Sequence, residues 1–312
     1  MFVLPEKKRK AIIHVFKHRG QRWVDRYPDL MLALVHRWKL TLDGIATAGL
    51  PINIIHYGKT ESGQAVALKV GVPHPEQKTE LMMLQHYNGR HAVKLIDWDE
   101  ASGAFLMERI LPGTQLRDYE NVAERSQVRL DLIARLPLPL APKHQLPTIE
   151  TWFDEAFVKF RGSSEPNPEF LSFIELAEEG FAVLKGHYQE PYLLHGDLHH
   201  ENILWDAKRG WIAIDPKGVI GPKIMECGRF LQNFIEDEVP GVAALKDATE
   251  SQVADVLVER FSVVSEITGF STKHLSLATY IDQVLSSCWS VNAGQSVDHR
   301  KIRIIRDLAF NI

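Results

Sequence analysis

Between Tyr192 and Gly218, short apolar runs frame the densest polar cluster in the chain. Tyr192-Leu193-Leu194 leads into His195-Gly196-Asp197-Leu198-His199-His200-Glu201-Asn202. Ile203-Leu204-Trp205, a turn over Asp206 to Gly210, and Trp211-Ile212-Ala213-Ile214 follow, and Asp215 closes the segment. Apolar runs on either side of a turn read as a β-hairpin. A hairpin returns its ends to each other, so Asp215 is expected beside Asn202, thirteen residues earlier. Trp205 and Trp211 read as packing across it.

This β island sits in a helical setting. From Leu116 onward the apolar spacing predicts helices over 116–136, 148–161, 168–188, 222–236, 251–268, 272–288 and 299–310. Upstream the pattern is different. Residues up to about Leu40 read as two helices, with Pro28 at the first turn of the second. Ile52 to Gly58 and Ala65 to Val70 read as a hairpin, Glu76 to Tyr87 as a helix, and Val93 to Trp98 and Ala104 to Arg109 as two more strands. A small antiparallel sheet followed by a helical body is an α+β plan. The chain has 312 residues, and the expected division is a lobe over 1–110 and a second over 111–312.

His195, Asp197, Asn202 and Asp215 have the H-x-D-x-x-x-x-N … D spacing of phosphoryl transfer. Asp197 accepts or orients the proton of an attacking hydroxyl. Asn202 offers an amide oxygen and Asp215 a carboxylate to Mg²⁺. Lys69, in the apolar strand Ala67-Leu68-Lys69-Val70, suits a phosphate contact. Glu80, eleven residues later on a helix, is placed to pair with it. Secondary expectations fall on His199, His200, Glu201, Lys217 and Glu226 as substrate-facing or loop-supporting residues. For Glu226, capping the helix that begins near Pro222 is the plainer reading.

The run His195 to Asn202, then Trp211 to Gly218 and Gly221-Pro222, resembles the aminoglycoside/hydroxyurea resistance kinases. So do Leu68 to Glu76, similar to their lysine strand and following loop, and Phe105 to Thr114, similar to their interlobe linker. The resemblance spans about residues 40–235. It implies a protein-kinase-like two-lobed fold, use of ATP and Mg²⁺, and transfer of the γ-phosphate to a small-molecule hydroxyl. It makes Asp197 the catalytic base, Asn202 and Asp215 the metal ligands, and Lys69 the phosphate contact positioned by Glu80. It gives Met107, Glu108, Arg109 and Ile110 the task of offering backbone groups to adenine. Two features depart from protein kinases: Thr47 to Asn53 stands where a glycine-rich loop would lie, and Asp215-Pro216-Lys217 replaces Asp-Phe-Gly. Both argue against a protein substrate.

Charge bears on the acceptor. The net charge is −4, yet residues 1–40 hold ten Lys/Arg against three Asp/Glu. Ile12, Ile13, Val15 and Phe16 make this end the basic face of an amphipathic helix, not a nucleic-acid site. Residues 148–190 hold nine Asp/Glu against three Lys/Arg, and Glu236-Asp237-Glu238 adds to them. Such a surface would concentrate a cationic acceptor of the streptomycin type. Hydroxyurea or another small metabolite is the alternative acceptor. Other classes are a zinc metallohydrolase using His195, Asp197, His199 and His200, and a non-catalytic nucleotide-binding protein. Two cysteines exclude a disulfide scaffold. No apolar run reaches the roughly 18 residues of a membrane span, and the N-terminus does not read as a signal peptide, so a cytoplasmic protein is expected.

Overall fold

Alternating residues over 54–60 and an apolar run over 65–70 meet at Glu61-Ser62-Gly63-Gln64, where Gly63 takes φ 84°. Only glycine adopts that value without strain. The hairpin belongs to a five-stranded antiparallel sheet, seen in a computed structural model that describes residues 2–46, 52–140, 145–162 and 167–311. Its strands are β1 (Leu40–Ile45), β2 (Ile54–Thr60), β3 (Ala65–Val70), β4 (Leu95–Asp99) and β5 (Ala104–Glu108), in the order β1-β2-β3-β5-β4. Strand β1 follows directly on the expected helices, in a stretch for which the sequence pattern predicted no element. The helix stops because Lys39 turns left-handed (φ 49°) and donates its N–H back to Val35 and His36.

That helix, α1 (Glu6–Trp38), is two helices joined at Lys17, whose φ of 51° and ψ of −128° are not helical. Two helices were expected, but Pro28 lies inside the second and does not open it. The reversal is set by close approach: a Cβ on Gly20 would sit 2.5 Å from the Ile12 carbonyl. Val15 is consequently exposed, while Ile12 is buried. Trp23, Tyr27, Met31 and Leu34 recur at helical spacing and pack on Ile54, Val66, Leu68 and Val70 of the sheet. Burying each side chain of this kind contributes about 1.5–3 kcal/mol. Tyr27 Oη and His56 Nε2 lie 2.6 Å apart within this core. Burial lowers the His56 pKa to about 4, so the imidazole is neutral there.

Two compact units emerge from the packing: Met1–Thr114 with Leu204–Ile214, and Gln115–Ile203 with Asp215–Ile312. The first also contains α2 (Pro75–Tyr87), with Pro75 in its first turn, and β6 (Pro112–Gln115). The predicted hairpin, Ile203–Asp206 and Gly210–Ala213, hydrogen-bonds to β6 in a three-stranded sheet. Trp205 and Trp211 meet edge to face across it at 5.2 Å.

The second unit begins with α3 (Val122–Arg135) and β7 (Leu138–Pro139). A helix from α4 (Ile149–Phe153) passes through a π turn at Asp154–Val158 into α5 (Lys159–Arg161). Then come α6 (Pro168–His187), β8 (Pro191–Leu194), the hairpin strands β9 and β10 of the first unit, and β11 (Val219–Pro222). The chain ends with α7 (Met225–Gln232), α8 (Glu250–Thr268), α9 (Thr272–Asn292) and α10 (His299–Phe310). Helix α9 is buried almost continuously from Leu275 to Leu285 and packs against α6, α7 and α10. Strand β11 replaces the predicted start of a helix at Pro222, and α7 ends at Gln232, before Phe234 turns left-handed at φ 53°. Among the described residues, no helix is long and apolar enough to cross a membrane.

Candidate active site

The register of β3 between β2 and β5 sets Lys69 opposite Ile55 and Phe105 and buries it to 3% exposure. An ammonium so deep needs a counter-charge. Glu80, on α2, supplies it: Lys69 Nζ donates to Glu80 Oε1 at 2.6 Å, as their spacing predicted. In the same unit Met107 and Ile110 share an apolar cluster with Leu81, Leu84, Val93, Phe105 and Ile212. The Glu108 N–H is spent on the Lys94 carbonyl and the Arg109 N–H on the Ala65 carbonyl. The Glu108 carboxylate pairs with Arg209, and the Arg109 guanidinium lies 4.0 Å over the Tyr57 ring. Residues 47–51 of the stretch read in place of a glycine-rich loop lie outside the described residues.

In the second unit, antiparallel β8 and β11 pair Leu194 with Val219. This pairing brings the backbone before Val219 onto the polar loop: the Lys217 and Gly218 N–H groups both donate to the His195 carbonyl, at 2.9 and 3.1 Å. Gly196 needs its φ of 75°, and Trp152 would collide with a Cβ there. From α7, the buried Glu226 carboxylate accepts the His195 N–H at 2.6 Å and the Gly196 N–H at 3.1 Å. Glu226 thus supports the loop, and it caps nothing. Burial raises its pKa to about 7 against the pull of those two N–H donors.

Asp197 emerges from this clasp with two cations beside its carboxylate. Arg229 Nε is 3.3 Å from Oδ1, and Lys217 Nζ is 3.6 Å from Oδ2. Burial works to raise the Asp197 pKa, but Lys217 and Arg229 outweigh it and hold the group at about 2. Lys217 also lies 4.7 Å over the Trp289 ring. Asn202 Nδ2 donates to the Asp197 carbonyl at 3.0 Å, which orients the amide so that Oδ1 is the oxygen offered elsewhere. Asp215 stands in the left-handed region at φ 56°, a conformation that Asp tolerates better than most residues. An amide oxygen and a carboxylate form a hard-oxygen donor set that fits Mg²⁺.

The histidines have other work. Asp197 donates its N–H to His195 Nδ1, and Glu201 donates its N–H to His199 Nδ1. His200 is buried against the Arg129 guanidinium and the Phe234 ring, and burial, with Arg129 next, drives its pKa down. Glu201 pairs with Arg117 at 2.7 Å. Among the described residues no three His, Cys, Asp or Glu side chains gather as metal ligands.

Residues 37–294 match the aminoglycoside/hydroxyurea antibiotic resistance kinase family. The chain belongs to that family. It is 26% identical over 298 residues to a streptomycin 6-kinase of Streptomyces glaucescens, covering 94% of this chain and 92% of that one. It is 32% identical over 206 residues to a streptomycin 6-kinase of Streptomyces griseus, covering 65% and 66%. In fold it is similar to an amicoumacin kinase in complex with AMP-PNP, Ca²⁺ and Ami, with a TM-score of 0.61, 13% identity, and 94% and 96% of the two chains covered. This resistance-kinase chain is therefore a phosphotransferase with a protein-kinase-like fold. Membership of a kinase family implies ATP and a divalent cation.

The motif pattern did not reveal how this kinase holds its loop. Arg229 and Asp282 stand 3.5 Å apart, and Arg129, 1% exposed, carries a pKa lowered by burial to about 9. One signal was visible: Asp282 interrupts the apolar stretch Leu275 to Leu285. Five acids of the two acidic runs are paired with cations. Asp237 pairs with Arg125, Glu238 with Arg129 and Arg260, Glu150 with Lys185, Glu178 with Arg161, and Glu169 with His299 and Arg303.

Proposed function

We propose that the chain transfers the γ-phosphate of ATP, with Mg²⁺, to a hydroxyl of a streptomycin-type aminoglycoside. The observation that carries the reading is Asp197, a carboxylate on a loop clasped by Glu226 and by the Lys217 and Gly218 amides. A pKa of about 2 keeps it anionic across the physiological range. So weak a base does not deprotonate a resting alcohol. It accepts a hydrogen bond from the acceptor hydroxyl and aims its oxygen at the γ-phosphorus. It takes the proton only as the new O–P bond forms and the bond to the β-phosphate oxygen breaks, as a loose transition state requires. Lys69, steadied by Glu80, meets the α- and β-phosphates. Mg²⁺ held by Asn202 and Asp215 would neutralise charge on the phosphates. Met107, Ile110 and Ile212 offer an apolar bed to adenine. Because the Glu108 and Arg109 N–H groups are already engaged, the base is met by other backbone groups of that stretch.

The choice of acceptor rests on similarity to the streptomycin kinases. The test is incubation with ATP and Mg²⁺ and a panel of aminoglycosides, hydroxyurea and metabolite alcohols, with products read by mass. Streptomycin gaining one phosphoryl group is the expected result. A phosphoryl group on hydroxyurea or a metabolite alcohol alone would overturn the acceptor. ATP binding with no acceptor modified would overturn the reaction.

A further inference from the structure

We propose that Arg229 and Asp282 act as a positioning pair for Asp197, holding its carboxylate from behind so that it faces the acceptor hydroxyl. The proposal deepens the phosphotransfer reading and rests on it. Arg229 is on α7 and Asp282 on α9, and their side chains are 12% and 10% exposed. The guanidinium Nε lies 3.3 Å from Asp197 Oδ1 and 3.5 Å from Asp282 Oδ2. It stays charged: burial would lower its pKa, but Asp282 and Asp197 more than restore it.

The backbone explains why the pair is rigid. At Gly228 the two helices touch, since a Cβ there would sit 2.7 Å from the Ala278 carbonyl and 2.8 Å from Asp282 Cβ. The neighbouring residue, Arg229, is thereby fixed relative to Asp282. Asp282 is itself anchored: Gln232 Nε2 donates to its Oδ2 at 2.9 Å, and Lys301 Nζ donates to Gln232 Oε1 at 2.7 Å. A chain of side chains therefore runs from α10 through α7 and α9 to the catalytic loop.

Sharing the guanidinium has a chemical consequence. Charge-assisted hydrogen bonds to carboxylate close to about 2.7–2.9 Å. Arg229 Nε and Nη2 are buried without a hydrogen-bond partner, so the guanidinium acts on both carboxylates through charge at longer range. With Asp282 sharing the attraction, Asp197 is oriented without being locked into a bidentate fork. Its lone pairs remain available to an acceptor. Without Asp282, the guanidinium would close on Asp197 and compete with the hydroxyl.

The experiment compares Arg229→Gln, Arg229→Lys, Asp282→Asn, the Arg229→Gln/Asp282→Asn double variant and Asp197→Asn. Turnover is measured with ATP and streptomycin, and also as ATP hydrolysis with water as acceptor. We expect Arg229→Gln and Asp282→Asn each to lower kcat at least tenfold with the KM for ATP unchanged within twofold. Arg229→Lys should recover part of the loss, and the double variant should lose less than the product of the singles. A merely structural pair would lower the melting temperature and the active fraction, with kcat per active site retained. That result, or kcat within twofold of wild type in both single variants while Asp197→Asn is inactive, overturns the positioning role. An active Asp197→Asn would overturn the phosphotransfer reading itself.

Discussion

The Lys69–Glu80 pair and the Asp197 cluster are both charges withdrawn from water, and they are built in opposite ways. Lys69 meets Glu80 at 2.6 Å, both deep in the first unit and eleven residues apart in the chain. Asp197 meets Lys217 and Arg229 at 3.6 and 3.3 Å, and Arg229 is shared with Asp282, eighty-five residues beyond Asp197. A tight local pair fixes one ammonium. A looser cluster keeps a carboxylate ionised while its side chain stays 20% exposed.

The comparison breaks first at Asp197. Asp197→Ala should reduce turnover by about 10³-fold with ATP binding retained. Arg229 keeps Asp282 as its counter-charge, so the melting temperature should scarcely move. Kinetics and nucleotide titration on the same preparation check both halves.

Glu80→Ala should show the reverse balance in stability. Removing the carboxylate from a 3%-exposed ammonium should cost about 3–5 kcal/mol in urea unfolding. Lys69→Met/Glu80→Leu should regain most of that stability while remaining inactive. If the single variant is as stable as wild type, the two sites do not differ in the way described.

The two units also answer pH with opposite sign. His56 has a folded pKa of about 4 against an ordinary 6.5. Its contribution is present above pH 6.5 and is lost as the pH falls through about 4. Glu226 has a folded pKa of about 7 against an ordinary 4.5. Its contribution is present below pH 4.5 and is lost as the pH rises through about 7. Each spans about 3 kcal/mol. The two windows overlap, so the slopes oppose each other between pH 4.5 and 6.5; there His56→Gln should leave stability falling as the pH rises, and Glu226→Gln should leave it rising. The smallest effect is expected at Arg161→Gln, which removes a half-exposed pair with Glu178 and should cost less than about 1 kcal/mol.

What could be read in the chain, and what could not, follows the same division. Lys69 and Glu80 were legible because one strand and the next helix carry them, and their contact depends on local register. The polar octet and its hairpin were legible for the same reason. Strand β11 was missed because Val219-Ile220-Gly221-Pro222 is too short to show a period, and it becomes a strand only by pairing with β8. The break at Lys17 was legible as two helices but not in place, since Gly20 against Ile12 decides it and Pro28 does not. The partners of Asp237 and Glu238 could not be read because sequence shows the sign of a charge and not its partner.

By itself, then, the sequence determined the α+β plan, the Lys69–Glu80 pairing and the family, because those depend on residue type at short, regular spacing. Only the tertiary structure decided which cations flank Asp197, that Glu226 holds the loop, and that Asp237 and Glu238 are drawn to arginines of α3 and α8. Those contacts join residues tens of positions apart, and helix packing against α9 brings Arg229 to Asp282. Periodicity along a chain carries no record of which helix face will meet which.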